Sequence, residues 1–253
     1  MRRPTASDLT VGRGRRVSSG SAFSTILLAR ALRCCEGPTA RRVLDVGCGE
    51  SPYRALLSPE LYIGVDRDPN PPPSVSVAVG DATALPVMGD YFDGIVCTEV
   101  IEHVSDERRL AAELARVAQV GAVLVLSSPF VHGLHEQPYD FRRLTSIGLC
   151  RVLEEAGWDV VRMVSVGGSL VVSVDSLLRA VDSLARRLTA RVLGRGAALR
   201  AMTIVSRSIQ EGLAALALAS WFTKLGPIDP NAPTPRLTLG YVVVARRRGP
   251  AEQ

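Results

Sequence analysis

No apolar run in this chain reaches the about 18 residues that a membrane-crossing helix needs. Its longest helix-like apolar stretch, Leu213–Phe222, is ten residues long. The N-terminus carries Arg2 and Arg3 but lacks the uninterrupted apolar core of a secretory or twin-arginine signal. Cysteine is scarce: Cys34, Cys35, Cys48, Cys97 and Cys150 are odd in number and form no Cys-x-x-Cys pair. That argues against a disulfide framework and predicts a reduced, cytoplasmic setting. Histidine is scarcer still, with three residues.

Apolar residues are plentiful. They make up 47% of 253 residues, enough to fill the core of one large α/β domain with an appendage. The net charge of +5 is unevenly placed. Residues 1–16 hold five Arg against Asp8, whereas residues 17–168 hold 13 Arg against 19 acids. Residues 169–225 are basic again, with eight basic and three acidic side chains. An acidic centre with a basic tail is not built to grip nucleic acid, so no nucleic-acid partner is expected.

Short apolar segments alternate with helical ones. Strands are expected at 42–46, 61–65, 75–79, 92–97, 122–126, 160–166 and 239–245. Helices are expected at 23–32, 107–118 and 146–156, the last closed by Gly157 and capped by Thr145 or Ser146. Strands apolar throughout indicate a mostly parallel sheet covered on both faces. Ligands of such sheets bind beyond the carboxyl ends of the strands. The expected organisation is a basic disordered tail (1–20), a core (21–168), a helical insertion (169–235), and a terminal strand with a basic tail (236–253).

Asp45-Val-Gly-Cys-Gly49 follows the first strand. Its glycines let a ligand approach the backbone where a Cβ would clash. A dinucleotide fingerprint would place a third glycine at position 52, which is Pro52 here. Asp66 ends the next strand, where a carboxylate can accept from both hydroxyls of a ribose. Asp81, after the third strand, can accept from an adenine amine, with the Ala82 amide nearby.

Val43-Leu-Asp-Val-Gly-Cys-Gly49, Gly64-Val-Asp66, Gly80-Asp81-Ala82 and Phe92–Val104 together resemble the consecutive motifs of class I S-adenosylmethionine-dependent methyltransferases. The likeness is to the broad group that includes quinone-biosynthesis and small-molecule enzymes. It covers about residues 40–166 plus the strand at 239–245, which resembles the family's antiparallel terminal strand. It implies a Rossmann-like seven-stranded α/β fold and S-adenosyl-L-methionine as cofactor. Asp45, Gly47 and Gly49 would line the methionine part, Asp66 would bind ribose and Asp81 adenine. Cys48, Ala82 and Thr98 complete the expected cofactor contacts. The implied reaction is methyl transfer to a small-molecule, lipid or sugar acceptor, with oxygen as the expected acceptor atom. The alternatives are a non-catalytic cofactor-binding scaffold and, less favoured for want of an Asn/Asp-Pro-Pro-Tyr motif after the fourth expected strand, a nucleic-acid methyltransferase.

The loop 128–145 is dense in polar and aromatic side chains. His135 and His103 are the candidate general bases. His132, Tyr139, Asp140 and Arg142 are candidates for the substrate side, or else Tyr139, Asp140 and Arg142 or Arg143 simply lock the loop. No metal is expected, because His132, His135 and Glu136 lack ligand spacing on one helical face. In the insertion, Val174, Leu177, Leu178, Val181, Leu184, Ala185, Leu188 and Val192 form an apolar helical stripe. Asp175–Arg179 and Asp182–Arg186 lie at i,i+4 on the other side, and a second helix is expected over 203–225. This insertion is read as a lid, a homodimer interface, or a peripheral contact with the inner membrane face through 170–225.

Overall fold

The computed structural model describes residues 40–49, 51, 54, 57, 59–68, 77–192 and 237–249. The expected tail at 1–20, the helices at 23–32 and 203–225, and Pro52 lie outside the described residues. Strand β1 runs Arg42–Val46, β2 Leu61–Asp66, β3 Val77–Val79, β4 Phe92–Thr98 and β5 Ala118–Pro129. Strand β6 is Trp158–Val166 and β7 Gly240–Arg247. They form one sheet in the order β3-β2-β1-β4-β5-β7-β6. The pairs among β1 to β5 are all parallel. Strand β7 slots antiparallel between β5 and β6.

Alternation within the buried strands splits the core. Leu44 and Val46 face one side with Ile95, Cys97, Leu124 and Leu126, while Val43 faces the other with Tyr62 and Val96. Helices α1 (Glu107–Val117) and α2 (Ser146–Glu155) cover the first side. The apolar spacing of α1 puts Leu110, Ala111, Leu114 and Ala115 on one buried face. Asp106 caps it by accepting from the Arg109 amide at 2.9 Å. Of the two candidate caps for α2, Thr145 serves, accepting from the Gly148 amide at 3.1 Å. Gly157, at φ +85°, then reverses the chain. Trp158 is fully buried and donates its indole N–H to the Ala111 carbonyl at 3.3 Å.

Three strands differ most from the sequence reading. Strand β5 begins directly where α1 ends, four residues earlier than expected, and it extends to Pro129. Strand β6 begins at Trp158, because burying that ring draws it into the sheet. Strand β7 continues to Arg247 rather than stopping at Ala245. The Arg247 guanidinium donates to the carbonyls of Ala115 (3.1 Å) and Gly157 (3.0 Å), and Arg248 pairs with Asp159 at 2.7 Å. These arginines fasten the last strand to the helices rather than forming a loose tail.

Helix α3 spans Ser169–Val192, as the periodicity predicts, but the docking face is different. Val171, Val172 and Asp175 turn inward, and Asp175 pairs with Arg179 at 2.6 Å. Leu177, Val181 and Leu184 of the apolar stripe are more than half exposed. The side chains of the Asp182–Arg186 pair lie outside the described residues.

Candidate functional site

The carboxyl ends of β1, β2 and β4 meet at the turn that follows β1. Gly47 has φ +67° and donates its amide to the Val65 carbonyl at 2.8 Å. A Cβ on Gly47 would stand 2.3 Å from Cγ2 of Val100, so only glycine fits between this turn and the end of β4. Gly49, at φ +46°, has open space where its Cβ would be. Its amide donates to Asp66 Oδ2 at 2.8 Å, and the Asp68 amide donates to Oδ1 at 3.0 Å. Asp66 is thus held beside the glycine turn at the end of β2.

Of the other residues expected around the cofactor, Asp45 and Cys48 are more recessed and Asp81 is exposed. Asp45 is buried and accepts from the Tyr62 hydroxyl. Burial pushes its carboxyl up to about 7, against the pull of that hydroxyl. Burial likewise pushes the Cys48 thiol up to about 12, so it stays neutral. Asp81 folds back on its own turn, its Oδ1 accepting from the Thr83 amide at 2.7 Å and hydroxyl at 2.8 Å. Those bonds hold its carboxyl below the usual range. Ala82 lies in the same turn, and Thr98 ends β4 beside Ser127 of β5.

Beyond β4 the chain makes a short 3-10 turn, Ile101–His103. Glu99 precedes it at φ +54° and accepts from the Ser127 hydroxyl at 2.8 Å. Glu102 is fully buried, and neither carboxylate oxygen has a hydrogen-bond partner. Burial and then the neighbouring Glu99 push the Glu102 carboxyl well up. Burial of its carboxyl raises Glu99 in the same sense, against the pull of the Ser127 hydroxyl.

The loop after β5 lays both remaining histidines against this turn. His103 Nε2 and His135 Nε2 are 3.0 Å apart. Glu102 Oε1 is 3.6 Å from the first and 3.8 Å from the second. The His132 and His135 rings meet edge to face at 4.7 Å. Burial pushes His103 and His132 down, favouring neutral rings. Asp140 holds the loop by accepting from the His135 amide (2.9 Å) and from both terminal nitrogens of Arg143 (2.5 and 2.8 Å). The Arg143 fork keeps the Asp140 carboxyl well below the usual carboxylate range.

The sequence candidates therefore separate. His103, His135, His132 and Asp140 converge. Tyr139 sits at the loop surface with the Arg67 guanidinium 4.6 Å over its ring, and Arg67 also reaches Glu136 at 3.3 Å. Arg142 turns away, pairing with Glu107 and donating to the Ser105 carbonyl at 2.7 Å. It ties the loop to the start of α1, and Arg143 takes the inward place. Sequence reasoning passed over Glu99, Glu102, Ser127 and Arg67. The Glu99-x-x-Glu102-His103 run was in view, but nothing local showed that Glu102 would be sealed in.

A sheet of this order, with a glycine turn after β1 and a carboxylate ending β2, is the arrangement in which α/β proteins hold nucleotide-like ligands. Residues 44–126 match the methyltransferase domain family. A probable S-adenosylmethionine-dependent methyltransferase of Mycolicibacterium smegmatis is 31% identical over 151 residues, 53% of this chain and 57% of that protein. Norajmaline N-methyltransferase of Rauvolfia serpentina is 31% identical over 44% of this chain and 46% of its own length. The chain spans about half the length of these curated relatives. A solved S-adenosylmethionine-dependent methyltransferase from Archaeoglobus fulgidus shares the fold at a TM-score of 0.53 and 19% identity, over 88% of this chain and 94% of that one. Over the matched stretch the chain is similar to class I, S-adenosylmethionine-dependent methyltransferases. Among the described residues, no helix is long and apolar enough to cross a membrane.

Proposed function

We propose that the protein transfers a methyl group from S-adenosylmethionine to an oxygen of a small-molecule, lipid or sugar acceptor. The observation that carries this reading is the Gly47–Gly49 turn, with open space at Gly49 and the Asp66 carboxylate fixed beside it. That arrangement fits the donor: the turn admits its methionine end against bare backbone, and Asp66 can accept from ribose hydroxyls. When bound, the donor supplies a methyl group on a sulfonium, already electrophilic. The protein's own task is to orient an acceptor and keep water out.

Oxygen is favoured by what lies on the acceptor side. The Nδ1 of His103 faces the Tyr139 carbonyl at 2.9 Å, and the Nδ1 of His135 faces Asp140 at 3.3 Å. Those acceptors place a proton on each Nδ1 and leave both Nε2 atoms as lone pairs, able to take a hydroxyl proton. Calorimetry with S-adenosylhomocysteine tests the donor half of the reading. Micromolar binding that is lost in Asp66→Ala supports it, and no binding by the wild type sinks it. Isotope-labelled donor incubated with phenolic, sugar and lipid hydroxyls, and separately with amines, tests the acceptor half. Labelling of amines alone would refute oxygen. Donor binding with no transfer to either class would support a non-catalytic scaffold instead.

A further inference from the structure

We propose that Glu102, His103 and His135 form a binding site for a single divalent transition-metal cation of the zinc class. Three lone-pair atoms converge there: Oε1 of Glu102 and the two Nε2 atoms. The hydrogen-bond acceptors at each Nδ1 leave both Nε2 atoms without a proton, so the 3.0 Å approach sets lone pair against lone pair. Glu102 adds a third, fully buried and with no hydrogen-bond partner at either oxygen. Such a set is repulsive unless a cation or a shared proton lies between its members, and three ligating atoms around one centre suit a metal cation.

The dimensions fit a metal. A triangle with edges of 3.0, 3.6 and 3.8 Å has its centre about 2.0 Å from each corner. Bonds from zinc to imidazole nitrogen or carboxylate oxygen are about 2.0–2.2 Å. Two imidazoles with one carboxylate suit zinc, cobalt or iron better than magnesium or calcium, which prefer oxygen. Three protein ligands also leave a further position for water or a substrate oxygen.

The surroundings are those of a supported site. The His135 Nδ1 faces the Asp140 carboxylate, itself gripped by Arg143, and the His103 Nδ1 faces a backbone carbonyl. Carboxylates and carbonyls in this position orient metal-ligating histidines. The Arg143 guanidinium is gripped by Asp140 and makes no hydrogen bond to Glu102. The ligands come from two segments 32 residues apart in sequence, which is why one-helix spacing did not reveal them. Val100, which packs on Gly47, places the site beside the donor turn. If the methyl-transfer reading holds, a bound cation would replace the two histidines as the group that activates the acceptor, holding its oxygen and lowering its pKa; metal binding itself does not depend on that reading.

The untagged full chain, stripped with a chelator, should be titrated with Co²⁺ by visible absorption and with Zn²⁺ by calorimetry. One equivalent should bind saturably, and Glu102→Gln and His135→Ala should each weaken it at least about tenfold. Circular dichroism and S-adenosylhomocysteine binding on the same samples check that the variants fold, and they test the donor reading separately. Absence of saturable binding by the folded wild type overturns the proposal and means that a shared proton holds the three groups. Equal affinity in wild type and folded variants overturns it too. Should the variants not fold, the wild-type stoichiometry and cobalt spectrum decide.

Discussion

The proposed donor side and the proposed acceptor side are built by different means. The donor side is backbone: two left-handed glycines, main-chain amides and one carboxylate on consecutive strand ends. The acceptor side is side chain: imidazoles, buried acids and an arginine fork, drawn from two distant segments. Backbone geometry is dictated over a few residues and tolerates little change. A side-chain cluster depends on tertiary packing and can be altered one group at a time.

The strongest test of that contrast is Gly47→Ala. The added Cβ meets Val100 at 2.3 Å on a left-handed backbone, so we expect a loss of about 2–4 kcal/mol in urea unfolding and abolished S-adenosylhomocysteine binding. Tyr139→Ala on the acceptor side should leave that binding unchanged; equal loss in both would erase the distinction. Next in size, Asp66→Ala should weaken donor-analogue binding by about 10- to 100-fold in calorimetry, as hydrogen bonds to a charged carboxylate are worth about 1.5–3 kcal/mol.

Asp140→Asn should cost about 1–3 kcal/mol by breaking the Arg143 fork. Because the folded Asp140 carboxyl is held low, its contribution is fully present above about pH 4 and is lost as pH falls through the folded value. Unfolding free energies should therefore decline more steeply below pH 4 in the wild type than in Asp140→Asn. Asp45 has the opposite sign. Its carboxyl is raised to about 7, so the folded state holds the extra proton and stability falls as pH rises from about 4 to 7. Asp45→Asn should flatten that slope, and an unchanged slope would show that Asp45 does not cause it. Smallest of all, Leu177→Ser on the exposed stripe of α3 should change stability by no more than about 0.5 kcal/mol in urea unfolding.

Much of the donor side was legible before any coordinates. Apolar runs at 42–46, 61–65 and 92–97 specify buried parallel strands, and glycines and aspartates at their ends mark where a ligand meets bare backbone. Less was legible where a residue's role depends on which way a loop turns. Arg142 and Arg143 are adjacent and identical, yet one ties the loop to α1 and the other grips Asp140. Nothing in their order distinguishes them. The apolar stripe of α3 was visible as a period, but the face that docks carries Val171, Val172 and Asp175.

The amino-acid sequence by itself determined the strand order's raw material, the glycine turn and the carboxylates that flank it. These follow from local backbone preference and burial along a single strand. Only the tertiary structure decided that His103 and His135 meet over an unpartnered Glu102. That meeting requires the loop after β5 to fold back across the end of β4, a consequence of global packing that no local pattern encodes.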